Sequence, residues 1–96
     1  MFKHIVMWKF KNEVTNSDQM KMVKILKELK SKIPKIIDLD VGLNISQNIS
    51  SYDIILITMF ESESDYKVYS SDPNHLEVVD FIKSVVDDKA VVDYTL

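Results

Sequence analysis

The chain has no cysteine, no arginine and a single glycine among its 96 residues. Without cysteine there is no disulfide, no thiolate metal ligand and no cysteine nucleophile. Without arginine, all twelve basic side chains are lysines, so the planar fork that grips phosphate or a guanine edge is missing. Together with a net charge of −3, this argues against a nucleic-acid partner. One glycine cannot build a phosphate-cradling loop, and no serine stands in a nucleophile-elbow context. No apolar run approaches the roughly 20 residues of a membrane span, so no membrane partner is expected. The first residues alternate like a strand and show no signal-peptide apolar core. The expectation is a cytoplasmic protein.

What is present is ordinary for one globular domain over residues 1–96, with 46% hydrophobic and 28% charged residues. The most telling stretch is Phe2 to Phe10, FKHIVMWKF. Alternate residues of a strand share a face, so His4 lies with Phe2, Val6, Trp8 and Phe10 on a side that must be buried. An imidazole left unpaired there costs about 1–3 kcal/mol. His4 is therefore either a core histidine with a satisfied partner or part of a cavity wall.

The rest of the chain reads as alternating elements. Thr15 and Asp18 start a helix in the manner of a capping box. Met22, Ile25, Leu26, Leu29 and Ile33 keep helical spacing, and Pro34 ends it near Ile33. A second strand is predicted over Ile36 to Ile45, with Gly42 suggesting a bulge or a close approach. After a polar loop at Ser46 to Ser51 comes a third strand, Tyr52 to Phe60. Ser62 and Asp65 begin another helix, bearing Tyr66 and Tyr69. Asp72-Pro73 restarts the chain as N-cap and first helical residue. The stripe of His75, Leu76, Val79, Ile82 and Val86 follows, widened by Val78, Phe81 and Val85. A short last strand is predicted at Ala90 to Tyr94. Met7, Met20, Met22 and Met59 read as core filler.

The resulting order, strand–helix–strand–strand–helix–strand, is the split βαβ arrangement of ferredoxin-like α+β folds. It implies a four-stranded antiparallel sheet with its helices on one face. From Ile54 to Phe60 only Thr58 is not strongly apolar, so the third strand asks for cover on both faces. Ninety-six residues cannot supply a second layer. The expectation is a homodimer joined through the open sheet faces.

Six segments then carry a family resemblance in order along nearly the whole chain: KHIVMWKF, KIPKI, VGLNIS, SYDIILITMF, YSSDPNH and AVVDYTL. Together they resemble the stress-responsive dimeric α/β-barrel (Dabb) domain family. The resemblance implies a ferredoxin-like protomer whose sheet meets a twofold partner in a central barrel with the helices outside. The family includes stress proteins and olivetolic acid cyclase, which closes a polyketide chain by aldol condensation without a cofactor. Its catalytic tyrosine and histidine fall on Tyr69 and His75, and its first-strand histidine falls on His4. Where that enzyme has a further histidine on the third strand, this chain has Ile54, which makes the pocket more apolar.

The residues are compatible with that assignment. His75 is the third residue of the helix begun by Asp72-Pro73, where free N–H groups and the helix dipole disfavour an imidazolium. A neutral imidazole can act as general base, with the Tyr69 phenol polarising a carbonyl. The Asp72 carboxylate opposes the dipole. Asp72 and His75 stand at i, i+3, but no motif places a third metal ligand. Val6, Trp8, Ile54, Val79 and Ile82 are expected to line the pocket. Two readings follow: a small apolar pocket performing cofactor-free lyase, cyclase or isomerase chemistry on a carbonyl compound, or a non-catalytic stress-response or structural protein whose histidines are merely satisfied.

Overall fold

The alternating run Phe2–Phe10 forms β1, and both of its edges are paired, so it lies inside the sheet. In the computed structural model, which describes residues 1–96, α1 (Asn16–Lys32), β2 (Asp38–Leu43), β3 (Ile54–Phe60), α2 (Glu63–Ser71), α3 (Pro73–Val85) and β4 (Val86–Thr95) follow. The sheet order is β2-β3-β1-β4, antiparallel throughout. This is the ferredoxin-like βαββαβ fold, with its second helical segment broken into α2 and α3.

Each helix begins where its side-chain chemistry offers a cap. The Asp18 N–H donates to Thr15 Oγ1 (3.1 Å), the Asp65 N–H to Ser62 Oγ (3.3 Å) and the Asn74 N–H to Asp72 Oδ1 (2.8 Å). Such caps satisfy donors that the first turn leaves unpaired. Proline at the start of α3 gives up no hydrogen bond, because the first helical N–H has no partner to lose.

All three helices cover the same face of the sheet. The core joins Phe2, Val6 and Trp8 of β1 with Ile54, Leu56 and Phe60 of β3, Met22, Leu26 and Leu29 of α1, and Val78, Ile82 and Val85 of α3. On the other face, Ile5, Met7, Ile55, Ile57 and Met59 remain half-buried, and Val92 and Tyr94 are exposed. The apolar centre of that face has no covering layer within the chain.

Several sequence expectations need correction. The second strand covers Asp38–Leu43, shorter than Ile36 to Ile45, because Ile36 turns into the core and Asn44 bonds Ser46 in a turn. The third strand starts at Ile54, two residues later than Tyr52. The last strand is longer than Ala90 to Tyr94: α3 passes straight into β4, which pairs along all of β1. Gly42 sits in unbroken register opposite Ile55, and a Cβ there would meet Ile55 Cγ2 at an ordinary 3.6 Å. The sheet's register shift lies at Lys9/Phe10 instead. In α3 the buried stripe is Val78, Ile82 and Val85, which leaves Leu76 half-exposed. Met20 faces outward, 56% exposed, and fills no core.

Candidate active site

Two structural accidents of the chain bring its two histidines to one space. His4 points to the helix side because its even-numbered neighbours Phe2, Val6 and Trp8 are drawn into the core. His75 points the same way because Asp72 ends α2 and caps α3, so the chain turns between Tyr69 and His75. Tyr69, six positions before His75 in sequence and across a helix break, is thereby stacked against it with ring centroids 4.3 Å apart and planes at 45°.

An aromatic chain connects the two imidazoles. The His4 centroid lies 4.7 Å from Tyr66 and 6.5 Å from Tyr69. Phe60 backs both tyrosines, at 5.7 Å and 5.0 Å. Aromatic contacts at these separations contribute about 0.5–1.5 kcal/mol each beyond the area they bury, so the walls are firmly set.

The hydrogen bonds determine which ring nitrogens are free. His75 Nδ1 lies 3.0 Å from the Ser70 carbonyl oxygen. A carbonyl only accepts, so Nδ1 carries the proton and neutral His75 presents the lone pair of Nε2. Burial lowers the affinity of His75 for a second proton below the ordinary histidine value; the Ser70 bond opposes this, His4 adds to it, and the Asp72 charge opposes it again. The net direction is down, so burial outweighs the Asp72 carboxylate, which is itself occupied by the Asn74 N–H. His75 is a neutral imidazole at neutral pH.

His4 is held differently. Its Nδ1 pairs with a carboxylate oxygen of Asp93, directly across the β1–β4 ladder. The His4 carbonyl also accepts from Thr58 Oγ1 at 3.1 Å. A carboxylate fixes a ring in one orientation and leaves Nε2 free toward the other side. Tyr69 is 1% exposed, and burial, then the neighbouring Tyr66, push its phenol well above the ordinary tyrosine value. It therefore stays protonated and can donate a hydrogen bond. Burial and the Asp93 charge likewise raise Tyr66.

These groups form one end of a cavity of about 590 Å³. His4, Val6, Trp8, Tyr69, His75, Val79 and Ile82 all border it, with Leu56 and Val91 adding apolar wall. Ile54 does not. It is 2% exposed, opposite Leu43 and Trp8, and packed in the core, while the cavity follows the β1–β4 side of the sheet. Lys83, Asp87, Asp88 and Lys89 ring the far end.

Asp93 and Tyr66 are the site residues that the sequence reading passed over. Asp93 could be found only by laying the closing strand against β1, since a single aspartate between Val92 and Tyr94 looks like a solvent-facing charge. No group of three or more His, Cys, Asp or Glu side chains is placed to hold a metal ion, and no helix is long and apolar enough to cross a membrane.

Comparison with known proteins agrees with this architecture. Residues 2–96 match the family model described as the stress responsive A/B barrel domain, Dabb. Among solved structures, a dimeric ferredoxin-like protein of unknown function from Bacteroides fragilis is 26% identical, with TM-score 0.85 over 99% of this chain and 95% of that one. An Arabidopsis thaliana protein is 24% identical, with TM-score 0.89 over 100% and 95% of the two chains. The hydroxynitrile lyase of Passiflora edulis is 15% identical, with TM-score 0.89 over 99% and 92%. No curated protein sequence matches.

Proposed function

The chain belongs to the stress-responsive A/B barrel domain family, and we propose that it acts as a homodimer whose protomers each take a small, partly apolar carbonyl compound and move a proton on it without a cofactor. The observation that carries this reading is the stacked pair of Tyr69 and His75 at the inner end of a cavity whose middle walls are apolar. A buried phenol that keeps its proton and a half-buried imidazole that lacks its second one are complementary: the first donates, the second accepts.

In the proposed step, Tyr69 Oη donates a hydrogen bond to the substrate carbonyl oxygen. His75 Nε2 takes a proton from the carbon next to that carbonyl. The C–H electrons form the enolate C=C bond while the carbonyl π electrons pass to oxygen, where the phenol stabilises them. The imidazolium then returns its proton to another carbon of the enolate system, which gives an isomerase. Alternatively, the enolate electrons expel from the next carbon a leaving group, which takes that proton, and give a lyase. In the third case the enolate carbon attacks a second carbonyl of the same molecule, whose oxygen takes the proton, and gives a cyclase. A positioned base contributes about 10²–10⁴-fold, and a preorganised donor at the oxyanion about 10²–10³-fold. His4, oriented by Asp93, forms the opposite wall and offers Nε2 as a second proton carrier.

The dimer is supported by the uncovered apolar face built from β1 and β3, and by Bacteroides fragilis and other ferredoxin-like neighbours described as dimeric. Sedimentation should give twice the 11.2 kDa chain mass, and a lone protomer at micromolar concentration would refute the assembly.

Proton transfer is tested without knowing the substrate. The protein should accelerate exchange of the α-protons of 2-octanone in D₂O, followed by NMR. His75→Ala should abolish that acceleration while leaving the melting temperature nearly unchanged. Exchange no faster than buffer, with the wild-type protein, would instead favour the non-catalytic stress-protein reading.

A further inference from the structure

The loop between β2 and β3 carries the most exposed apolar side chains of the molecule. Ile45 is 98% and Ile49 95% exposed. The segment holding them is a shaped one. Asn44 Nδ2 donates to the Ser46 carbonyl, the Ser46 N–H returns to Asn44 Oδ1, and the Ser50 N–H donates to Asn48 Oδ1. Displaying two isoleucines to water on an ordered loop forfeits the burial that apolar side chains otherwise gain on folding.

The ladder registers locate this loop relative to the cavity. Leu43 pairs with Ile54, Ile54 with Trp8, and Trp8 with Lys89. The loop thus leaves the sheet at the same end as the charged cavity mouth at Asp87 and Lys89, but from the opposite edge, because the strand order is β2-β3-β1-β4. Three strand spacings, about 14 Å, separate the two edges within one chain.

With the strands of the two sheets roughly aligned, a twofold axis can stack their open faces in two ways. An axis across the strands, passing through the apolar centre at Ile57 and Ile5, lays β2 over β2 and sets Asp40, exposed on that face, against its own copy. Like charges so placed repel. An axis along the strands lays β2 over the partner's β4. There Asp38 and Asp40 come level with Tyr94 and Val92, with Lys3 one strand inward, since Asp38 and Lys3 both pair with Met59. It also sets the two outer edges antiparallel. Charge favours the second arrangement. It brings each β2–β3 loop to the mouth end of the other protomer's cavity.

We propose that the β2–β3 loop of each protomer closes the mouth of its partner's cavity, with Ile45 and Ile49 as the plug. Stacked sheets lie about 10 Å apart, and half of a ten-residue loop reaches about 16 Å at about 3.3 Å per residue. The ligand cavity is then completed only by assembly, and the apolar compound is shielded from water by the second copy. This rests on the homodimer and cavity proposed above.

The absence of native cysteine makes a clean test. Under mild oxidation of the intact dimer, Ile49→Cys combined with Lys89→Cys should give a covalent dimer on a non-reducing gel. Ile49→Cys combined with Ile37→Cys should not. Linkage through 37, or through neither pair, in a protein that still sediments as a dimer would overturn the plug and leave the dimer standing. A protein that sediments as a single chain would instead remove the assembly itself. In the intact dimer, Ile45→Ser with Ile49→Ser should weaken 2-octanone binding several-fold without changing the sedimentation coefficient; unchanged binding would overturn the plug.

Discussion

The two faces of β3 are built from neighbouring residues and meet opposite fates. Ile54, Leu56, Thr58 and Phe60 face the helices and are buried. Even the polar member is satisfied there, because Thr58 donates to the His4 carbonyl. Ile55, Ile57 and Met59 face the other way and remain half-buried in a single chain. The helix side solves its packing and hydrogen bonding internally and encloses a cavity in doing so. The open side has apolar residues at its centre and charges around them, Asp38 and Asp40 on the β2 edge and Lys3 and Lys9 at the two ends of β1. One face of the strand borders the cavity, and the other is left open.

Substitutions at adjacent residues separate the two faces. Ile57→Asp places a carboxylate in the centre of the open face, where sheltering an unpaired charge costs several kcal/mol. We expect the dimer to fall apart in sedimentation while far-ultraviolet circular dichroism stays native. A dimer that survives would show that the open face is not the contact. A smaller effect lies on the alkaline side. Tyr69 and Tyr66 bind their protons more tightly folded than unfolded. Their stabilisation is therefore complete below the unfolded tyrosine value near 10 and is lost as pH rises above it. For the deeply buried Tyr69, chemical denaturation should report a fall of about 1.4 kcal/mol per pH unit between the unfolded and folded values, and Tyr69→Phe should flatten that slope; the more exposed Tyr66 adds in the same direction. The smallest effect belongs to Thr58→Val, which deletes one hydrogen bond on the helix face. It should cost about 1 kcal/mol in denaturant unfolding and leave the dimer intact.

The acid side sharpens the same contrast. His75 is held below its ordinary proton affinity, so the unfolded chain binds more protons as pH falls through about 6.5. Stability should decline below that value, and proton-exchange activity should persist somewhat below it before the base is lost. His75→Ala should remove both effects, as read from parallel pH profiles.

How far the sequence could be read depended on whether a signal was local. The period of β1, the two-sided apolarity of β3, the Thr15 cap and the Asp72-Pro73 restart are each decided within a few residues, and each appears in the structure. The pairing of His4 with Asp93 spans 89 positions and depends on a register no local pattern carries. The length of β4 was hidden because Asp87, Asp88 and Lys89 look like a loop until β1 is laid beside them. Gly42 misleads because a lone glycine in a strand usually marks a bulge or a close approach, whereas here the register is unbroken and a Cβ would fit at ordinary contact distance from Ile55. Ile54 was assigned to the cavity from the family resemblance, and the face it shares with Trp8 could not show that the space lies toward β4.

Val85 closes α3 and Val86 opens β4 with no residue between them, and the Lys11 N–H ties the junction by donating to the Val85 carbonyl at 2.9 Å. Helix and strand are thus two limbs of a single bent lever. One limb bears His75 and the other Asp93. Because Asp93 also holds the His4 ring, one unbroken segment, Pro73–Thr95, sets the position of both imidazoles.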